Sequence, residues 1–160
     1  MKNYIFIEHM NHRGITLIEL AVVFVIIAIG AVLLVPNIGA WLPNYRLRSA
    51  TRDIVSTMRT AQMKAVSNNN HYRVNFNSAE IGGANCYILQ RNTGGVWVND
   101  GALQTVPAGI MVNIGQLPAG RAIFNPNSTS AAGSVTLQNS KGAQRSITLT
   151  PATGRVRIVD

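Results

Sequence analysis

Residues 15–35 read ITLIELAVVFVIIAIGAVLLV, and this apolar run constrains the fold more than any other feature of the chain. A helix of this length rises about 30 Å, which matches the hydrocarbon thickness of a bilayer. The run therefore predicts a single transmembrane helix. Lys2 and Arg13 precede it, with Glu8 as the one acid. Because basic flanks stay in the cytoplasm, we expect the N-terminus inside and the rest of the chain outside.

An ordinary secretory signal peptide is the competing interpretation of this run. Ala28-Ile29-Gly30 resembles a small-residue cleavage site. The apolar residues continue past that site to Val35, however, and exceed the apolar core of about 7–15 residues that signal peptides carry. We therefore favour a helix that is retained over a signal peptide that is removed.

Glu19 is the one charged residue within the run. A carboxylate inside a membrane costs about 2.5–3.5 kcal/mol at mid-bilayer, so it needs a partner there and indicates a function. Alternatively, Glu19 lies close enough to the start of the helix to reach the lipid headgroups. Its position alone leaves both interpretations open.

The segment RGITLIEL, residues 13–20, resembles the class III signal of type IV prepilins and type II secretion pseudopilins. The resemblance implies cleavage between Gly14 and Ile15 by a prepilin peptidase, N-methylation of Ile15, and assembly with other pilins or pseudopilins into a filament. It also implies that Glu19 pairs with the α-amino group of a neighbouring subunit. Burying both charges together avoids the cost of burying either one alone. The family usually has phenylalanine at the first mature position, where this chain has Ile15.

Beyond the apolar run the helix is expected to continue. Pro36 lacks an N–H and predicts a kink, and the resemblance implies a bent helix that does not stop there. Asn68-Asn69-Asn70 is rich in turn-forming residues and predicts the end of the helix. Apolar residues at helical spacing support the continuation: Leu47, Ala50, Ile54, Met58, Ala61 and Ala65. The arginines mostly off this stripe predict a solvated face, with a membrane-surface or nucleic-acid role as the alternative: Arg46, Arg48, Arg52 and Arg59.

After the helix the apolar period changes to two, which predicts about seven or eight short antiparallel strands. Because the helical stripe must be covered, we expect an α+β fold, with the long N-terminal helix packed on an antiparallel sheet. The domains are then a cleaved leader over 1–14, a transmembrane and assembly segment over 15–43, and a periplasmic globular domain over 44–160. The expected strands centre on Val74, Cys86 to Leu89, Trp97, Val112, Ile123, Val135/Leu137, Ile147/Leu149 and Val156/Ile158.

Four segments of the second half, IFNPN (123–127), SVTL (134–137), SITLT (146–150) and GRVRI (154–158), resemble the C-terminal pattern of the GspH/FimT group. That group contains a minor pseudopilin of type II secretion and a minor pilin of type IV pili. The resemblance implies a subunit of the bacterial inner membrane that joins a periplasmic or surface filament, and it leaves open which of the two machines the subunit serves. The rival interpretation is a membrane-anchored periplasmic domain that stays monomeric.

Gly154-Arg155-Val156-Arg157 resembles an element with which some FimT-like minor pilins are thought to capture DNA. On a strand, Arg155 and Arg157 lie on one face, about 6.5–7 Å apart, and could contact neighbouring phosphates. The resemblance thus implies DNA binding by Gly154, Arg155 and Arg157. In the alternative interpretation the glycine makes a turn and the arginines discourage pairing at a sheet edge. Three other cations could extend the patch: Lys141, Arg145 and Arg121.

The composition argues against an enzyme. The chain has one cysteine, Cys86, and His71 is the only histidine beyond residue 14. We therefore expect no catalytic residue, no metal site and no cofactor. We interpret Cys86 as a thiol in the core and His71 as a solvated turn residue. The net charge of +8 favours polyanionic partners such as DNA, anionic lipid or cell-wall polymer.

Overall fold

The computed structural model describes residues 15–159, apart from the side chains of residues 33–38 and 40. The contacts between residues divide the chain after Gly39 into two units. The first unit contributes the start of a long helix, and the second unit contains the remainder of that helix and all the strands. The expected leader over 1–14 lies outside the described residues, and the boundary at 43/44 stays a prediction.

Helix α1 extends from Leu17 to Ser67. It continues through Pro36, whose side chain lies outside the described residues, so the kink stays a prediction. The helix ends where the asparagine segment predicts. Asn69 adopts a left-handed φ of 46°, and the Asn70 N–H donates to the Ala65 carbonyl at 3.1 Å, which closes the C-terminus of the helix.

The apolar stripe of α1 is buried within the second unit, as its spacing predicts. Its six members are each at most 3% exposed: Leu47, Ala50, Ile54, Met58, Ala61 and Ala65. They belong to one core cluster with inward residues of the strands, among them Val74, Phe124 and Ile147. The predicted packing of a helix on an antiparallel sheet is therefore confirmed.

Nine strands and a four-residue helix follow α1 in the described part of the chain. Their bounds are β1 Tyr72–Asn75, α2 Ser78–Ile81, β2 Cys86–Thr93, β3 Val96–Asn99, β4 Gln104–Thr105, β5 Ile110–Asn113, β6 Arg121–Phe124, β7 Gly133–Asn139, β8 Gln144–Thr150 and β9 Arg155–Val159.

The strands form two antiparallel sheets where the sequence predicts one. The first sheet has the order β3-β2-β1-β6, with β4 paired to β2, and the second has the order β5-β7-β8-β9. Alternation shows that a strand has a buried face, but it does not show which strands pair. The two-residue β4 is also too short to produce an alternating pattern.

Cys86 corrects one prediction. The cysteine is half-buried at the first position of β2, with its Sγ 3.4 Å from the Ala84 carbonyl oxygen. Burial in this strand begins one residue later, at Tyr87, so the expectation of a core thiol is wrong. His71 is exposed, and its Nδ1 lies 3.0 Å from Oδ1 of Asn125.

Candidate functional site

The start of α1 holds Glu19, the predicted assembly residue, in a reciprocal cap with Thr16. Thr16 N–H and Thr16 Oγ1 each lie 3.2 Å from Oε2 of Glu19, and the Glu19 N–H donates to Thr16 Oγ1 at 3.3 Å. This is a capping box, in which a threonine before the helix and a glutamate three residues later satisfy each other's backbone N–H groups. The Glu19 carboxylate therefore has partners within its own chain. The predicted cut lies between Gly14 and Ile15, and Gly14 lies outside the described residues.

The described surface of the first unit is largely apolar and exposed. Ile15 is 80% exposed and Leu17 is 86% exposed. The same holds along this part of α1, where large exposed side chains include Val23, Phe24, Ile26, Ile27 and Val32. Within the described residues, no helix combines the length and the apolarity that a membrane crossing requires. The expected span over 15–35 includes residues 33–35, whose side chains lie outside the described set.

The second candidate site is strand β9, which carries both predicted DNA-binding arginines. Arg155 and Arg157 are exposed, whereas Val156 between them is buried. The strand lies at the end of its sheet and pairs only with β8 in the described part of the chain. Its two arginines therefore share the solvent face of an open sheet edge.

Gly154 is fixed by packing. Its φ of +59° is in the left-handed region, and a Cβ placed there would lie 2.4 Å from the Ser128 carbonyl oxygen and 2.9 Å from Nε2 of Gln62. Only glycine meets both requirements without strain. This contact gives the glycine of the Gly-Arg-Val-Arg element a structural reason that needs no nucleic acid.

Gln62 ties the segment before β9 to helix α1. Its Nε2 donates to the Thr153 carbonyl at 3.0 Å and to Oγ of Ser128 at 3.1 Å. The first bond joins residues 91 positions apart in sequence. Helix α1, the 128 turn and the start of β9 therefore converge at one point.

The three cations expected to extend the arginine patch do not surround Arg155. Arg121 lies on β6 of the first sheet and pairs with Glu80. Arg145 lies near the first residue of β8, whereas Arg155 pairs with Thr150, the last residue of that strand. Lys141 lies in the turn before β8.

A cluster that the sequence analysis missed lies on the outer face of the first sheet. Glu80 of α2 contacts two arginines, Arg73 at 3.3 Å and Arg121, and accepts from the side chain of Asn75 at 2.9 Å. The Arg73 side chain is only 7% exposed. It also lies 4.4 Å from the ring centroid of Trp97, a cation–π contact.

Burial, and next the charge of Arg121, lower the pKa of Arg73 to about 10. One carboxylate thus serves two guanidinium groups. Nε of Arg121 is buried with no hydrogen-bond partner in the described structure. These contacts hold α2 against the sheet. The sequence did not indicate the burial of Arg73, because a charged residue at an outward strand position is expected to be exposed.

Comparisons with known proteins match both halves of the chain. Residues 9–35 match the family model of the prokaryotic N-terminal methylation motif, and residues 50–153 match that of the type II transport protein GspH. No curated protein matches the chain.

Two solved structures share the fold at low identity. The minor pseudopilin EpsH of the Vibrio cholerae type 2 secretion system has a TM-score of 0.59 and 10% identity, covering 71% of this chain and 96% of that one. The type IV minor pilin FimU of Pseudomonas aeruginosa has a TM-score of 0.58 and 14% identity, covering 73% of this chain and 90% of that one.

Proposed function

Because the chain belongs to the family of the type II transport protein GspH and carries the prokaryotic methylation motif, it is a minor pilin or pseudopilin subunit, and we propose how it is processed and assembled. The subunit inserts into the bacterial inner membrane with its N-terminus in the cytoplasm and residues 44–160 in the periplasm. A prepilin peptidase cuts between Gly14 and Ile15 and methylates the new amino group. The mature subunit then joins a type II secretion pseudopilus or a type IV pilus.

The observation that carries the proposal is the pairing of an apolar helix surface with a carboxylate at its start. Side chains from Ile15 to Val32 are exposed on the isolated chain. An apolar patch of this size marks a surface that contacts a membrane or another protein. Lipid covers this surface before assembly, and the helices of neighbouring subunits cover it afterwards. Glu19 is the only charge in this stretch and is the counter-charge for a neighbour's α-amino group.

The test of processing is the mass of the intact protein. Expressed with a prepilin peptidase, the chain should lose residues 1–14 and gain one methyl group, and without the peptidase it should keep its full mass. Gly14→Leu should block the cut, whereas Gly30→Ala, a glycine with open space around it, should be cut normally. An uncut chain in the presence of an active peptidase would remove the proposal.

The test of assembly is Glu19→Ala. Insertion and cleavage should persist, because the cut depends on Gly14 and the leader. Incorporation beside other subunits should fail, since the neighbour's buried amine loses its counter-charge. Asp53→Ala, which removes an exposed acid of the second unit, should assemble normally. Normal incorporation of Glu19→Ala into filaments would refute the assigned role.

DNA capture by β9 is the second candidate function. It is favoured by one observation, the exposure of Arg155 and Arg157 on the same face of an edge strand. The protein should then bind duplex DNA without sequence preference, and more weakly as salt rises, because neutralised phosphates release counterions. Replacing both arginines with glutamine should abolish most binding, whereas Arg48→Gln should matter much less. Unchanged affinity and salt dependence in the double variant would leave only diffuse surface charge.

A further inference from the structure

Two adjoining recesses form a single groove between α1 and β9 in the second unit. One has a volume of about 440 Å³ and includes Arg155 and Val156. The other has a volume of about 340 Å³ and includes Arg52 and Ile158. Both are lined by the same two helix residues, Arg59 and Met63, so the groove is continuous along the strand.

The floor of this groove is apolar and partly uncovered. Met63 is 64% exposed and Ile158 is 39% exposed, while Val55 and Val156 beside them are buried. Ile158 points to the same face of β9 as Val156. The helix covers Val156 and leaves Ile158 partly open.

The rim of the groove is basic. Arg52 and Arg59 of α1 and Arg155 of β9 are all exposed. None of the three forms an ion pair among the described residues. Three guanidinium groups therefore surround an apolar floor, with no acid of the described chain to compensate them.

The third property of the groove is the free edge of β9. The strand has five residues, and in the described structure only one of its sides is paired. An unpaired edge presents backbone N–H and C=O groups that a further strand can bind. A second copy of β9 would bring Arg155 and Arg157 against the same arginines, so charge repulsion opposes self-pairing.

We propose that the groove between α1 and β9 binds an extended acidic segment of another protein, which adds to the sheet as a strand beside β9. Backbone hydrogen bonds to the free edge hold the segment in register. Its apolar side chains cover Met63 and Ile158, and its carboxylates pair with Arg52, Arg59 and Arg155. The apolar floor favours a polypeptide over a nucleic acid, because a phosphate backbone carries no apolar side chains to cover it. The inference rests on the geometry of the second unit alone, independently of the proposed function.

The test uses the full chain in detergent and a fluorescent synthetic peptide of alternating glutamate and valine. Fluorescence anisotropy should show saturable binding, while a peptide of alternating lysine and valine should not bind. A glutamate–valine peptide with N-methyl groups along one backbone edge should bind at least about tenfold more weakly, because it loses several hydrogen bonds. Equal binding of the N-methylated peptide would overturn strand addition.

Matched arginine variants locate the contact. Arg59→Gln with Arg155→Gln should weaken the glutamate–valine peptide about tenfold or more, since each removes a charge-assisted hydrogen bond. Arg91→Gln, at an exposed position of β2 far from the groove residues, should change affinity by about twofold or less. Equal losses in all variants would mean non-specific charge and would overturn the proposal.

A competition and an exchange experiment complete the test. Duplex DNA should displace the peptide poorly. If DNA binds more tightly and the loss follows Arg157 instead of Arg59, a nucleic-acid surface replaces the proposal. Hydrogen exchange on the unaltered protein needs no variant to fold, and the β9 amides should gain protection when the glutamate–valine peptide is added. Absence of both binding and protection would refute the groove as a strand-docking site.

Discussion

Replacing Gly154 with alanine should strongly destabilise the second unit. The new Cβ would lie 2.4 Å from the Ser128 carbonyl oxygen, a backbone atom in a turn that cannot easily move. Ser128 has a φ of 64°, and its N–H donates to the Asn125 carbonyl at 3.0 Å. Relief of the clash would therefore have to displace either this turn or the start of β9.

The magnitude has two parts. An alanine in the left-handed region costs about 1–2 kcal/mol, and forcing an extra carbon into a packed site costs about 1–3 kcal/mol. Gly154→Ala should therefore lower the free energy of unfolding by about 2–5 kcal/mol. Gly94 separates the two parts, because it has the same φ of +59° with nothing within 4 Å of its Cβ position. Gly94→Ala should cost only the backbone part, about 1–2 kcal/mol.

The assay is urea denaturation of the full chain in detergent, followed by tryptophan fluorescence and far-ultraviolet circular dichroism. The decisive quantity is the difference between the two alanine variants, which should be at least about 1 kcal/mol. If Gly154→Ala and Gly94→Ala lose equal stability, the close approach to Ser128 is not what requires glycine. The packing explanation of the Gly-Arg-Val-Arg element would then fail.

Two further predictions concern groups whose environment the fold has altered. Glu80→Gln should lower the free energy of unfolding by about 2–3 kcal/mol, because Arg73 and Arg121 lose their shared carboxylate. This loss is smaller than for a fully buried ion pair, because the Glu80 side chain is one-third exposed. A loss under about 0.5 kcal/mol in the same urea assay would contradict the prediction. Burial raises the pKa of Tyr87 above its ordinary value of 10.0, so the folded state favours the neutral phenol and stability should fall as the pH rises above 10. Tyr87→Phe should reduce that fall in a thermal melt series, and Tyr45→Phe, at an exposed tyrosine, should not.

The sequence was most informative where one physical requirement acted alone. The stripe from Leu47 to Ala65 recurs at helical spacing because one face of α1 is covered, and every member is buried. Strand alternation likewise located eight of the nine strands, and missed only β4 at Gln104–Thr105. The GspH assignment also followed from local segments and is supported by the match over residues 50–153.

The features that escaped prediction depend on contacts between distant parts of the chain. Arg73 occupies the outward position of an alternating strand, which predicts exposure, yet it is buried because α2 and Trp97 pack over it. The split into two sheets follows from the pairing of β1 with β6 across several intervening strands. The recess beside β9 exists only because a helix residue and a C-terminal strand meet, as Met63 and Ile158 do.

The bond from Gln62 to Thr153 has a consequence for the order of folding. It joins positions 91 residues apart, so the second unit cannot close until nearly its last residue has been synthesised. Contacts of such long sequence separation form late and slow the folding of a domain. Until β9 has been synthesised, the apolar stripe around Met58 lacks its contacts with this strand. The nascent chain then exposes an apolar helix face that can associate with other chains. A ribosome stalled before residue 153 would therefore hold a chain that remains accessible to proteases, and release of the last residues would confer resistance in one cooperative step.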